Sequence, residues 1–190
     1  RSLEHGGLGF DYKWDLGWMN DTLKYYSKDP IYKKWEHNKL TFSMMYFYSE
    51  NFLLPLSHDE VVHGKGTIIN KMYGDYDTKF ALIRNLYTYQ FAHPGKKLNF
   101  MGNELASFDE WNENRSLPWE LKRFPKHDSI SRLIRDLNLI YAYEEAMHKE
   151  EYNPVHFNWL MVDNSEQSVF AFERRVGDSF QYDSKLLRIV

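Results

Sequence analysis

Two uncharged apolar runs in this chain stop abruptly at polar groups. Phe52-Leu53-Leu54-Pro55-Leu56 runs into Ser57-His58-Asp59-Glu60, and Leu98-Asn99-Phe100-Met101 runs into Gly102-Asn103-Glu104. A buried parallel strand has this pattern when it delivers functional groups to the carboxyl edge of a sheet. Around these runs the pattern changes to helical spacing. Leu16 to Tyr26 predicts a short helix ended by Asp29-Pro30, and Ile31 to Tyr48 a longer one on the spacing of Leu40, Met44, Phe47 and Tyr48. Asp77 to His93 predicts a third, with Phe80, Ile83, Leu86 and Phe91 along one side and Pro94-Gly95 as its stop. A fourth starts at Asp128-Ser129 and carries the stripe Ile130, Leu133, Ile134, Leu137, Tyr141.

The remaining segments read as follows. Gly6-Gly7-Leu8-Gly9 is a loop, and Phe10 to Asp15 alternates like a half-buried strand. Glu60 to Lys71, with Gly64 and Gly66 flanking Lys65, is a loop, and Glu104 to Pro125 is irregular. The pattern shifts near Tyr152-Asn153-Pro154. Beyond it Phe157–Val162, Ser168–Arg174 and Lys185–Val190 predict antiparallel strands, with turns at Asp163-Asn164 and Gly177-Asp178. The expected class is α/β over residues 1–151, followed by the opening strands of an all-β domain over 152–190.

Composition narrows the function. A formal charge of −3 and a pI near 6.3 leave no basic stripe for nucleic acid. The chain has no cysteine, which excludes disulfides and thiolate metal sites and is compatible with a reducing cytoplasm. No apolar run approaches the roughly 20 residues that span a bilayer, so no membrane partner is expected. Aromatic residues make up 17% of the chain, including 14 Tyr and 6 Trp. Such rings serve either a large core or a surface on which sugars stack. The chain starts at Arg1 rather than Met, and its last strand has no stop signal, so a segment of a longer protein is expected.

The chemistry-bearing candidates cluster after the first strand. Asp59 can oppose the positive charge of an oxocarbenium-like transition state, and His58 can hold sugar hydroxyls. Strand alternation would send Asp59 to the side opposite His58 and Glu60. His58 and His63 lack the helical His spacing and acidic partners of a metal site, so neither a metal nor a cofactor is expected. Gly64-Lys65-Gly66-Thr67 lacks the spacing of a phosphate loop, and no Gly-x-Ser-x-Gly surrounds Ser57. Trp14 and Trp18, four apart, would share a helix face, either in the core or toward a sugar. Glu104, Trp111 and Trp119 follow the second strand and fall on the same rim as Asp59 if the strands are parallel.

Together these segments resemble the bacterial 1,4-α-glucan branching enzymes of the α-amylase clan. The resemblance is carried by Gly-Leu-Gly-Phe-Asp-Tyr-Lys-Trp-Asp-Leu-Gly-Trp-Met-Asn-Asp at 7–21, Leu-Pro-Leu-Ser-His-Asp-Glu-Val-Val-His-Gly-Lys at 54–65 and Ala-His-Pro-Gly-Lys-Lys-Leu-Asn-Phe-Met-Gly-Asn-Glu at 92–104. Arg-Asp-Leu-Asn-Leu at 135–139 and Phe-Asn-Trp-Leu at 157–160 continue it in the same order. It implies the last three βα units of a (β/α)8 barrel, then the start of a C-terminal β-sandwich. It implies a glucan substrate, with an α-1,4 chain cleaved and transferred to a 6-hydroxyl as an α-1,6 branch. On that basis Asp59 is the transition-state stabiliser and His58 a sugar ligand beside it, while Glu60, His63, Trp14, Trp18, Glu104 and Trp111 are substrate-binding candidates. The family's nucleophilic Asp and acid/base Glu lie on earlier strands that this chain lacks. The isolated chain is therefore expected to be inactive and to self-associate through exposed barrel edges. Two alternatives stay open: a segment of another α-amylase-clan enzyme, and a carbohydrate-binding or interaction module without chemistry.

Overall fold

A computed structural model describes residues 3–177 and 185–189. Three short strands, β1 (Lys13–Trp14), β2 (Phe52–Leu56) and β3 (Lys96–Asn99), form a parallel sheet in the order β1-β2-β3. Lys13 pairs with Phe52 and Trp14 with Leu53; Leu53 to Leu56 pair in step with Lys96 to Asn99. Parallel neighbours require crossovers. The first holds helix α1 (Leu16–Tyr26) and a single α turn, α2 (Asn38–Thr41); the second holds α3 (Tyr76–Ala92). Helix α4 (Pro125–Tyr143) follows β3, and a last α turn, α5 (Glu145–His148), closes the segment.

Proline within the central strand is tolerated for a local reason. Leu53 O accepts from Asp15 N on the β1 side, and Leu56 O accepts from Phe100 N on the β3 side. The nitrogen of Pro55 therefore faces β1 beyond its last pair, where no ladder bond is lost. Leu54 and Leu56 are fully buried in one cluster with Phe80, Ile83, Leu86 and Tyr87 of α3, Trp18 and Tyr26 of α1, and Ile130 of α4. Gln90 of α3 is buried too, and its amide donates to Leu54 O (3.0 Å) and Leu98 O (3.3 Å) on adjacent strands. At the end of α3, Gly95 has φ +110° and a Cβ there would sit 3.0 Å from Phe52 O, so this tight return into β3 requires glycine.

Four expectations change. The alternating stretch Phe10–Asp15 yields a strand at Lys13–Trp14 alone. The longer helix over Ile31–Tyr48 is instead α2 between the 3-10 segments Pro30–Trp35, Phe42–Met45 and Phe47–Ser49. Tertiary partners override its spacing. His37 bonds Val162 O and Ser43 bonds His93, while the ring of Phe47 stacks on Tyr152 at 5.6 Å. Third, β3 begins at Lys96, two residues before the apolar run. The Lys96 ammonium pairs with Glu151, and Lys97 donates to His93 O and Gly95 O beneath the Tyr141 ring. Fourth, α4 starts at Pro125, the first-turn position that suits proline.

The second sheet is antiparallel, β4 (Phe157–Asn164), β5 (Val169–Val176) and β6 (Lys185–Ile189) in that order. Asp163-Asn164 belongs to β4, and the turn falls at residues 165–168, where Ser168 takes φ +54°. Of the second expected turn, Gly177 has φ +86°, whereas Asp178 lies outside the described residues, as does Val190. Arg174 of β5 joins this sheet to the helices, donating to Ala92 O (3.0 Å) and Met147 O (3.3 Å). No described helix is long and apolar enough to cross a membrane.

Candidate functional site at the carboxyl edge of the parallel sheet

All three parallel strands end on one edge, and each places a ring there. Trp14 closes β1 and meets the His58 imidazole edge-on, with centroids 6.3 Å apart. His58 follows β2, and Phe100, directly after β3, flanks it from the other side at 5.8 Å. Phe100 then meets Trp111 at 5.2 Å, which extends the row along the edge. His58, Asp59 and Glu60 form a 3-10 turn after Ser57. Strand alternation thus ends before Asp59. The imidazole Nε2 lies 3.3 Å from an Asp59 carboxylate oxygen, with the side chains 53% and 58% exposed. The two groups share one side of the edge, contrary to the alternation expected from the sequence.

The loop beyond Asp59 hangs from its neighbour. Glu110 accepts hydrogen bonds from Gly64 N (3.0 Å) and Gly66 N (2.6 Å), and these amides hold its carboxyl below the usual carboxylate range. The backbone of Trp111 donates to Val61 O (3.1 Å) and Asn70 donates to Phe108 O (2.8 Å). Lys71, its pKa lowered chiefly by burial, donates to Glu60 O (2.6 Å) and Lys65 O (2.8 Å). Beside this braced pair of loops lies a cavity of about 270 Å³ lined by Val61, Asn103, Trp111, Arg115, Leu117 and Glu120, among others. His58 and Asp59 lie outside its lining.

The expected site residues divide. Trp14, His58 and Asp59 meet at the edge, and Trp111 joins the row through Phe100. Glu60 is half-buried, tied to Lys71 through its carbonyl. His63 is exposed at the loop apex with φ +59°. Glu104 turns its carboxylate back to Gly102 N (2.8 Å) and its carbonyl accepts from Ser131, so it braces the β3–α4 loop. Trp18 is a correction. It is fully buried and stacks on Tyr89 at 6.0 Å within the core, away from the edge. Helix α1 begins at Leu16 while Trp14 belongs to β1, so the two indoles share no helix face. Trp119 is exposed within a 3-10 segment. Phe100, Lys71 and Glu110 were not among the expected residues. Phe100 stood inside the second apolar run and was read only as part of a strand; Lys71 and Glu110 carried no local signal.

Among the described residues, no three His, Cys, Asp or Glu side chains are grouped as a metal site would need. The edge presents a carboxylate, an imidazole and flat aromatic rings.

No protein-family model matches the chain. It is 56% identical over 170 residues to the 1,4-alpha-glucan branching enzyme GlgB of Aquifex aeolicus, covering 90% of this chain and 27% of that protein. It is 53% identical over 173 residues to the GlgB of Myxococcus xanthus (91% and 24%) and 51% identical over 172 residues to that of Rhizobium radiobacter (90% and 23%). The chain thus spans about a quarter of the length of the curated relatives it matches.

Proposed function

We propose that this chain is a segment of a protein of the 1,4-alpha-glucan branching enzyme family and that it supplies one rim of that enzyme's glucan-branching site. In this reading the parallel sheet and its helices, residues 1–151, are the last three βα units of a (β/α)8 barrel. Residues 152–190 open a C-terminal β-sandwich. The complete enzyme cleaves an α-1,4 glucan chain and passes it to a 6-hydroxyl, forming an α-1,6 branch as in glycogen synthesis. With this goes a cytoplasmic location, which the absence of cysteine suits.

The convergence of Trp14 and Phe100 on His58, whose imidazole lies 3.3 Å from Asp59 at the carboxyl edge of three parallel strands, carries the reading. Barrel enzymes place their chemistry on that edge. Retaining transfer passes through a transition state with positive charge on the sugar ring, which a fixed carboxylate stabilises more than the ground state. Asp59 is that carboxylate. His58, 3.3 Å from it, orients it and presents its other edge to sugar hydroxyls, and Trp14 and Trp111 offer flat faces to glucose rings. The covalent step belongs to a nucleophilic Asp and an acid/base Glu elsewhere in the complete enzyme, so the isolated chain makes no branches.

The test is Asp59→Asn in the complete enzyme, with new α-1,6 linkages counted on amylose. Loss of a preorganised charge predicts a kcat lower by on the order of 10²–10³-fold. A variant within a few-fold of wild type would remove Asp59 from the chemistry. New linkages from the isolated chain would refute its dependence on groups it lacks.

A further inference from the structure

The segment between Glu60 and Thr67 has little structure of its own. Three of four consecutive residues, His63, Gly64 and Gly66 but not Lys65, take positive φ (59°, 81° and 77°), and no helix or strand covers them. Such a stretch keeps one position only if something outside it satisfies its amides. The amides of Gly64 and Gly66 point together, forming a concave anion-binding surface of the kind made by successive backbone N–H groups. A single side chain fills it: the Glu110 carboxylate, from the loop after β3, at 3.0 and 2.6 Å. The carbonyls on the other side of the same loop are taken by Lys71 and by the backbone of Trp111. Val61, whose carbonyl receives the Trp111 amide, lies two residues from Asp59.

We propose that Glu110 is a positioning residue: by capturing the amides of Gly64 and Gly66 it fixes the loop leaving the His58–Asp59 turn, and so keeps that imidazole and carboxylate in place. This rests on the assignment of His58 and Asp59 to the reactive edge. The loop is spanned between two strands' ends, with Glu110 the charged tie across the gap. When the carboxylate is replaced by an amide, one oxygen still accepts while the NH2 group opposes the second backbone donor. That frees one glycine amide and loosens the segment that follows Asp59.

The test compares Glu110→Gln, Glu110→Asp and Asp59→Asn in the complete enzyme. It reads kcat and KM for branching of amylose, amide hydrogen exchange across residues 61–67, and the melting temperature. For Glu110→Gln we expect exchange in that segment to rise at least about tenfold and kcat to fall on the order of 10–100-fold, the scale of an ångström-sized misplacement. KM should stay within about twofold and melting should be unchanged. Glu110→Asp, which keeps the charge on a shorter arm, should be intermediate in both exchange and kcat. Faster exchange with unchanged kcat would overturn the proposal while leaving Asp59 in its role. Unchanged exchange, or a kcat loss that tracks lowered melting, would overturn it too. An active Asp59→Asn would sink the assignment of the edge, and the proposal with it.

Discussion

The two ends of the parallel sheet use charge in opposite ways. At the amino end the buried charged groups are tied to the fold. The buried carboxylate of Glu151 takes Gly95 N (3.0 Å), the Lys96 ammonium (2.6 Å) and the Tyr141 hydroxyl (3.4 Å). Arg174 caps two carbonyls, and the Tyr152 hydroxyl donates to Phe52 O (2.6 Å). At the carboxyl edge His58 and Asp59 are half-exposed and lie 3.3 Å from each other, open to solvent. One end closes the fold and the other is left open to solvent, and the proposed function places the chemistry on the open end, as barrel enzymes do. The charged residue type alone does not tell them apart; what the charge is bonded to does.

The largest effects should fall at the amino end. Glu151→Ala removes a buried carboxylate, strips partners from Gly95 N and the partly exposed Lys96, and leaves the buried Arg174 without its countercharge, a change that costs about 3–5 kcal/mol. Trp18→Ala empties part of the core for a similar loss, about 3–5 kcal/mol. Asp59→Asn, at the exposed edge, should shift stability by no more than about 0.5 kcal/mol. Urea midpoints of the isolated chain at fixed protein concentration rank the three. An Asp59 variant as damaged as the Glu151 variant would erase the contrast between the ends. In the same samples light scattering checks whether the chain self-associates through the free outer edges of β1 and β3 and the exposed Leu16 and Met101 beside them. A concentration-independent monomer would show those edges to be sealed.

How much of this was legible depended on the range of the forces involved. The β2 run, the stripe of helix α4 and the His58–Asp59 cluster are local patterns and lie where they were placed, although α4 itself starts earlier, at Pro125. The start of β3 was hidden because Lys96 and Lys97 look like surface residues until Glu151 and the helix-end carbonyls are brought beside them. Ile31–Tyr48 kept helical spacing, yet its polar residues are claimed by distant partners, Ser43 by His93 and His37 by Val162. Trp18 had the same sequence credentials as Trp14; only the start of the helix at Leu16, capped by Asp15, separates a core indole from a rim indole. Glu110 meets Gly64 across 46 residues, and nothing in the neighbouring sequence records that.

A smaller effect tests the buried polar layer beneath the site. Burial lowers the pKa of His93 to about 3, and its ring is fixed between the Ser43 hydroxyl and Pro94 O. The unfolded chain takes up this proton near the ordinary histidine value of about 6.5, so between the two values it binds more protons than the folded chain. Stability is therefore complete above pH 6.5 and falls as the pH drops, by at most about 1.4 kcal/mol per unit. Between pH 6.5 and 5, above the range of ordinary carboxylates, the urea midpoint should report a loss of roughly 1–2 kcal/mol. His93→Gln, which cannot titrate, should be less stable at pH 7 but flatter across this window. An equal slope in both proteins would mean that His93 is charged in the fold, and the buried layer would then resemble the open edge.

The smallest expected effect asks how far the open edge extends. Trp14 meets His58 edge-on and is partly exposed, whereas Trp18, four residues later, is sealed. An aromatic contact of this kind is worth about 0.5–1.5 kcal/mol, or roughly 2–12-fold in a rate or binding constant. In the complete enzyme Trp14→Ala should change kcat/KM for glucan by that much without lowering the melting temperature by more than a few degrees, and Trp14→Phe should recover part of it. A loss carried by KM would mean that the indole acts on a sugar ring, since interactions equal in ground and transition state move KM alone. A loss carried by kcat would mean that it acts through His58. Unchanged values for both would confine the reactive edge to β2 and β3, leaving Trp14 as a lid over the imidazole and nothing more.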